Sequence, residues 1–156
     1  MKTIGLLGGM SFESTTIYYQ SINERVQKAL GGAHSAKIML YSYDYDILKD
    51  ALEKGDDDML SSHLIEKAKL LEQAGADAVA MCANTVHIVS DQVQEAIKVP
   101  LIHIADATMQ EAKKKGLKRL LLLGTNYTME SRLYHDVSLT YGIEILTAQK
   151  EDRDRI

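Results

Sequence analysis

Short apolar runs alternate along the chain with longer segments in which apolar residues recur at steps of three and four. The short runs predict β-strands at residues 3–7, 38–43, 78–82, 101–104, 120–123 and 143–146. The spaced segments predict helices at Tyr18–Ala29, Leu60–Leu71, Val86–Ile97, Ala105–Lys115 and Met129–Val137. The stretch Asp44–Asp58 is acidic, and we expect it to be poor in helix.

This alternation predicts an α/β fold in which helices flank a mostly parallel sheet. The third run, Ala78–Cys82, is apolar throughout, which is typical of a strand covered on both faces. Ligands of such sheets bind at the carboxyl ends of the strands. The places to search for a site are therefore residues 8–14, 42–46, 82–86, 104–106 and 124–129.

The amino-acid composition excludes several classes of protein. The 156 residues carry a formal net charge of −4, which argues against a nucleic-acid binder. A single cysteine excludes a disulfide-stapled scaffold and fits a reducing compartment. No apolar run approaches the roughly 20 residues that a membrane-spanning helix needs. We therefore expect a cytoplasmic protein that does not bind a membrane.

The first strand ends at Gly8-Gly9-Met10-Ser11, just before a helix. One interpretation is an anion site, because glycines let the backbone approach a ligand and a helix start offers free N–H groups. The other is a tight turn in which Ser11 or Ser14 caps the helix. The segment fits neither the dinucleotide fingerprint nor the P-loop.

The third strand ends at Cys82, followed by Ala83-Asn84-Thr85. A thiol at a helix start can have a lowered pKa, and its thiolate can act as a nucleophile or a base. Asn84 and Thr85 would offer donors to a carboxylate. The alternative is an inert packing cysteine followed by capping residues.

The remaining candidates are weaker. Gly124–Thr128 repeats the pattern of strand, small-residue turn and hydroxyl groups, and helix capping is the preferred interpretation of this segment taken alone. Asp56-Asp57-Asp58 precedes a helix, where carboxylates complement the helix dipole. The five histidines lack close ligand spacing, so we expect no metal site. His87 lies five residues after Cys82, a spacing that does not indicate a Cys-His pair.

Taken together, these segments resemble the aspartate/glutamate racemase family of cofactor-independent amino-acid racemases, and most of all its broad-specificity branch. The resemblance rests on four segments in the family's order, covering nearly the whole chain: Ile4–Ser11 with Glu13–Thr15, Cys82–His87, Pro100–Thr108 and Leu123–Met129.

The resemblance implies a two-lobed α/β isomerase whose active site lies between the lobes, here residues 1–104 and 105–156. It implies that two cysteines, one on each face of the substrate, invert the α-carbon of an amino acid without pyridoxal phosphate or any other cofactor. Cys82 matches the first cysteine. The positions that match substrate contacts are Met10, Ser11, Asn84, Thr85 and Thr125. We allow for a homodimer.

The chain departs from the family in three respects. It lacks the Gly-Cys-Thr-type segment that carries the second cysteine, and its second lobe contains only two predicted strands, so we expect a truncated chain that is inactive alone. Leu52 stands where members specific for acidic amino acids would place a polar residue. The alternatives are a one-cysteine isomerase or decarboxylase, and a non-catalytic remnant that binds a small carboxylate or a partner chain.

Overall fold

Four parallel strands build the first sheet, in the spatial order β2-β1-β3-β4. The strands are β1 Thr3–Gly8, β2 Lys37–Ser42, β3 Ala78–Met81 and β4 Leu101–Ile102. The computed structural model describes residues 1–153. It divides the chain into two compact units, Met1–Ile102 and a second that begins at His103. The mostly parallel α/β fold that the sequence predicts is therefore confirmed.

The helices of the first unit follow the strands in chain order. They are α1 Phe12–Leu30, α2 Tyr45–Lys54, α3 Asp57–Gln73, a 3-10 helix Thr85–Val89 and α4 Ser90–Ala96. α1 begins where Ser11 accepts a hydrogen bond from the Ser14 N–H and ends at Gly31. α3 begins in the same way at Asp56, which accepts from Met59. Each of these residues supplies the cap that a helix terminus requires.

Alternate residues of each strand lie in different cores. Leu7, Val79 and Met81 belong to a large buried cluster with side chains of α2, α3 and α4. Leu6, Ala80 and Cys82 belong to a smaller cluster, against which Tyr18 and Ile22 of α1 pack. The sheet is thus apolar on both faces, as expected when helices cover both sides of parallel strands.

The second unit pairs two parallel strands, β5 Arg119–Leu122 and β6 Glu144–Thr147. Its helices are α5 Ile104–Lys114, α6 Asn126–Glu130, α7 Leu133–Tyr141 and α8 Lys150–Arg153. Ala105, Met109, Tyr134 and Ile143 form its buried core, and Leu120, Leu122 and Ile145 of the sheet pack against that core.

Three predictions about individual elements are wrong. The strand expected at residues 101–104 ends at Ile102, because α5 begins at Ile104. Residues 45–54, expected to be poor in helix, form α2, because Leu48 and Ala51 place an apolar face into the large core. The single helix expected over Met129–Val137 is broken into α6 and α7, because Ser131 adopts an extended conformation.

No helix within residues 1–153 combines the length and the apolar character needed to cross a membrane.

Candidate functional site

The carboxyl ends of β2, β1 and β3 are joined by backbone hydrogen bonds. The Tyr43 N–H donates to Gly8 O at 2.9 Å, and the Cys82 N–H donates to Leu7 O at 2.9 Å. The turn Gly8–Ser11 therefore lies between the segments that follow β2 and β3. Predicted site residues from two separate parts of the sequence are brought to the same edge of the sheet.

The Gly8–Ser11 turn is in close contact with the segment after β2 on one side and with the start of α1 on the other. Gly9 has φ +83°, and a side chain there would place its Cβ 2.3 Å from Tyr43 O. The Gly9 N–H donates to Thr15 Oγ1 at 2.9 Å, and the Thr15 hydroxyl donates to Ser11 O at 2.9 Å. The close approach of the ends of β1 and β2 therefore requires glycine at position 9. The segment has the structure of the capped turn, which was one of its two interpretations.

Cys82 is completely buried beside Leu6 and Ala80. Burial raises the pKa of its thiol to about 12, from an ordinary value of 9.0. This shift is opposite to the lowered pKa on which one of the two interpretations of the sequence depends. Loss of water around the sulfur disfavours the thiolate, and the five-residue 3-10 helix that follows does not offset it. At neutral pH the Cys82 side chain is therefore the neutral thiol.

The backbone on both sides of the Cys82 side chain is fixed. Its N–H is bonded to β1, and its carbonyl accepts a hydrogen bond from the Ser14 hydroxyl at 2.7 Å. This contact joins the first turn of α1 to the end of β3. The linear pattern indicates Ser14 only as a helix cap, because it carries no sign of a contact across 68 residues.

Asn84 and Thr85 follow Cys82 at the start of the 3-10 helix, and both are half-buried. The Asn84 side chain makes no capping hydrogen bond, so the capping interpretation does not account for it. The two side chains and the start of the helix together form the polar part of this strand end.

His87 fixes the backbone immediately after Cys82, a role that the sequence analysis did not predict. Its Nδ1 lies 2.8 Å from Ala83 O and 3.2 Å from Asn84 O, and the ring is buried. Because both neighbours are acceptors, Nδ1 carries a hydrogen. This nitrogen therefore orders the Ala83-Asn84 turn.

The other predicted site residues lie in different surroundings. The Met10 side chain is buried in the large core, so only its backbone can meet a ligand. Ser11 is exposed at the start of α1. Thr125 belongs to the second unit, where it is exposed and accepts a hydrogen bond from the Thr128 N–H at 3.2 Å.

The acidic stretch Asp44–Asp58 supplies a capping residue at a helix start and a contact with the large core. Asp56 accepts from the Met59 N–H at 2.9 Å as the cap of α3. Leu52, on α2, is half-buried against the large core. Across residues 1–153 no three His, Cys, Asp or Glu side chains are grouped so that they could hold a metal ion.

Residues 7–156 match the model of a family described as Asp/Glu/Hydantoin racemase. The chain is 30% identical over 146 residues to the broad-specificity amino-acid racemase RacX of Bacillus subtilis. That match covers 92% of this chain but 63% of RacX, so the chain spans less than two thirds of this relative's length.

Two solved structures are similar over 99% of the chain. A protein from Yersinia pestis, described as a candidate Asp/Glu racemase, is 44% identical with a TM-score of 0.94, and 67% of it is covered. An aspartate racemase homologue from Pyrococcus horikoshii is 34% identical with a TM-score of 0.90, and 68% of it is covered. In both, about a third of the structure has no counterpart here.

Proposed function

The chain belongs to the Asp/Glu/Hydantoin racemase family, and we propose that it supplies one half of a cofactor-independent amino-acid racemase centre, with Cys82 as its acid/base. The observation that carries this proposal is the position of Cys82. It lies at the carboxyl end of a central parallel strand, beside Asn84 and Thr85 and next to the Gly8–Ser11 turn. Ligands of parallel sheets bind at such strand ends.

Each polar residue of this edge has a role in the proposal. The side chains of Asn84 and Thr85, together with the N–H groups of the 3-10 helix, hold the substrate carboxylate. The Ser11 hydroxyl and the Met10 backbone line the same side of the substrate. Thr125 is proposed as a further polar contact to the substrate. A carboxylate held by several donors stabilises the charge that develops when the α-proton leaves.

The raised pKa of Cys82 defines its part in the reaction. A base on the opposite face removes the α-proton and leaves the electron pair on the α-carbon. The neutral Cys82 thiol then donates its proton to that carbon from the other side, which inverts the centre and leaves a thiolate. The enantiomer reacts in the reverse direction, with the Cys82 thiolate as the base. Two groups are needed because a planar carbanion must be reprotonated on the face opposite to the one that lost its proton.

The second group is not available in these 156 residues, since Cys82 is the only cysteine. Racemisation is therefore proposed for an assembly in which further polypeptide supplies the opposite face. Relatives with such additional length carry racemase names, and RacX is described as having broad specificity. We propose an amino acid as the small-molecule substrate, with a cytoplasmic location and a homodimer as the expected setting.

The test uses an extended chain, in which this chain is joined to the part of the Yersinia pestis protein that it does not match, in the order of that protein. We expect the extended chain to racemise at least one common amino acid and Cys82→Ser to lower the rate by about 10³-fold or more. Lys49→Ala, on the exposed side of α2, is the control and should keep the full rate. A folded extended chain that racemises no common amino acid contradicts the proposal.

A second candidate function follows from the single neutral thiol. A decarboxylase acting on a carboxylic acid needs only one protonation, which one thiol can supply. The same variants separate the two activities. A decarboxylase would release carbon dioxide in a Cys82-dependent way without converting one enantiomer of an amino acid into the other.

A further inference from the structure

His87 is a polar ring in an apolar part of the first unit. It is 1% exposed, and the other buried residues of its 3-10 helix, Val86 and Val89, belong to the large core. Taking an imidazole out of water costs free energy unless hydrogen bonds replace those that it loses. An apolar side chain would pack here without that cost, so the contribution of a histidine lies in the hydrogen bonds of its ring.

The Nδ1 atom of His87 holds the two peptide units that flank the Cα of Asn84. Ala83 O, 2.8 Å from Nδ1, belongs to the unit before that Cα, and Asn84 O, 3.2 Å away, belongs to the unit after it. The backbone N–H of His87 also donates to Asn84 O, at 3.0 Å, so Ala83 O is the contact that depends most on the imidazole. Because peptide units are planar, holding both units fixes Asn84 at φ −72° and ψ −54° and sets the direction of its side chain.

The peptide unit that follows Cys82 is held from another part of the chain. Its carbonyl accepts a hydrogen bond from the Ser14 hydroxyl at 2.7 Å. Together with the contacts of His87, every carbonyl from Cys82 to Asn84 therefore accepts a hydrogen bond from a side chain. The backbone between the proposed acid/base and the proposed carboxylate donors is thus ordered before a substrate binds.

We propose that His87 is a positioning residue of the candidate site, whose Nδ1–H directs the Asn84 side chain at the substrate carboxylate. This inference rests on the proposed function of Cys82 and Asn84. His87 acts through the backbone: its Nδ1 carries a hydrogen and faces two carbonyl oxygens, so this nitrogen is not the base that removes the α-proton. Donors that are already oriented hold a charge without the cost of reorganisation, so loss of the Nδ1–H weakens the binding of the carboxylate.

Two substitutions of His87 separate this role from packing in the core. Asparagine places its amide nitrogen at the position of Nδ1, whereas glutamine places it at the position of Nε2. In the extended chain we expect His87→Gln to raise the KM of the racemised amino acid at least about tenfold, with a smaller change in kcat, because binding of the carboxylate is weakened while Cys82 is retained. His87→Asn restores a donor to Ala83 O and should keep KM within about threefold of the unsubstituted chain.

Leu71→Ala is the control for a loss of stability alone. Leu71 is buried near the end of α3, beside Gly5 in the middle of β1. Its truncation should lower the stability in urea unfolding and leave KM within about twofold of the unsubstituted chain. A His87→Gln chain that keeps the unsubstituted KM overturns the proposal, and so does a His87→Asn chain that is impaired as much as His87→Gln.

NMR of the 156-residue chain distinguishes failure of this inference from failure of the proposed function, because it needs no catalysis. We expect the His87 ring to carry a hydrogen on Nδ1 that exchanges slowly with water. The backbone amide signal of Asn84 should move in His87→Gln and stay close to its original position in His87→Asn. An Nδ1 without a hydrogen, or an Asn84 signal that responds equally to both variants, overturns the positioning role. An extended chain that fails to racemise although these spectra are as expected contradicts the proposed function alone.

Discussion

At Cys82 two influences on a thiol oppose each other. The start of a helix stabilises a thiolate, whereas burial among Leu6, Ala80 and the side chains of α1 removes the water that a thiolate needs. The effect of burial is the larger of the two, and it raises the pKa of the Cys82 thiol to about 12. In the proposed racemase centre, Cys82 is thus the neutral acid of the proton-transfer pair.

We predict that alkylation of Cys82 is slow and strongly pH-dependent. The thiolate is the reactive form, so iodoacetamide should react far more slowly at pH 8 than with the urea-unfolded chain. Because the pKa is raised from 9.0 to about 12, the rate in the folded chain should still rise through pH 10, where that of the unfolded chain levels off. A folded-state plateau below pH 9 would contradict the burial argument.

The raised pKa of Cys82 also predicts the direction in which the stability of the folded chain changes with pH. A pKa raised on folding contributes stability that is complete below the unfolded value and declines as pH rises towards the folded value. Urea unfolding of the wild-type chain should therefore lose more stability between pH 8 and pH 10.5 than that of Cys82→Ala. Equal losses would show that the thiol does not titrate as proposed.

The Gly9→Ala variant tests how closely the strand ends approach. Gly9 has φ +83°, and an added Cβ would meet Tyr43 O at 2.3 Å. Gly31 has φ +75° but nothing within 4 Å of the added Cβ, so Gly31→Ala carries only the backbone cost of about 1–2 kcal/mol. In urea unfolding, Gly9→Ala should cost at least about 2 kcal/mol more than this control. Equal costs would mean that the turn is loosely held.

At the scale of single residues, the sequence predicts the strand end at Cys82 but not the electrostatics of its thiol. The apolar run before Cys82 and the polar residues after it mark a strand end. The packing of α1 over Cys82 and the hydroxyl of Ser14 at its carbonyl depend on contacts between distant segments. No local pattern carries that information.

Among the elements, α2 is a helix that its many exposed charged residues make difficult to predict from the sequence. Its acidic residues dominate residues 44–58, yet Leu48, Ala51 and Leu52 recur at helical spacing and pack into the large core. Asp44 caps its start, and Gly55 ends it in the left-handed conformation. The signals of a helix were therefore present, but they were outnumbered by exposed charges.

Substitution of Leu48 tests whether α2 is part of the core. Leu48 is fully buried and its neighbour Ile47 is 48% exposed. Leu48→Ala should lower the free energy of unfolding by about 2–5 kcal/mol. Ile47→Ala is the matched control and should change it by less than about 0.5 kcal/mol. Similar effects of the two substitutions in urea unfolding would show that α2 does not pack as described.

Between α6 and α7 the sequence pattern predicts one continuous helix, whereas the structure contains two short ones. Met129, Leu133 and Val137 are spaced as on one continuous helix, and no glycine or proline separates them. The chain nevertheless extends at Ser131, and α7 begins again at Leu133. Apolar spacing alone cannot distinguish one helix from two short ones that share a core.

For the whole molecule, the order of strands and helices was sufficient to predict a parallel α/β fold. Successive crossovers place the ends of β1, β2 and β3 on one edge, and the predicted polar turns follow those ends. The two units differ in the size of their sheets, because the first has four paired strands and the second has two among the described residues.

We predict that the 156-residue chain alone does not racemise amino acids, whereas the extended chain does. The physical reason is that the chain has one cysteine and inversion needs a second group on the opposite face. Chiral chromatography of an L-amino acid incubated with each chain measures the difference. Turnover above background by the 156-residue chain would remove the requirement for a second cysteine.

The central claim is that Cys82 delivers a proton to the face opposite the one from which the proton was taken. Incubating the extended chain with an L-amino acid in deuterium oxide tests it most directly, with NMR of the separated enantiomers at early conversion. The account predicts that the D-product carries deuterium at the α-carbon while the remaining L-substrate keeps its hydrogen, and that Cys82→Ser forms no D-product. Deuterium appearing equally in both enantiomers from the start, or unchanged product formation by Cys82→Ser, would contradict it.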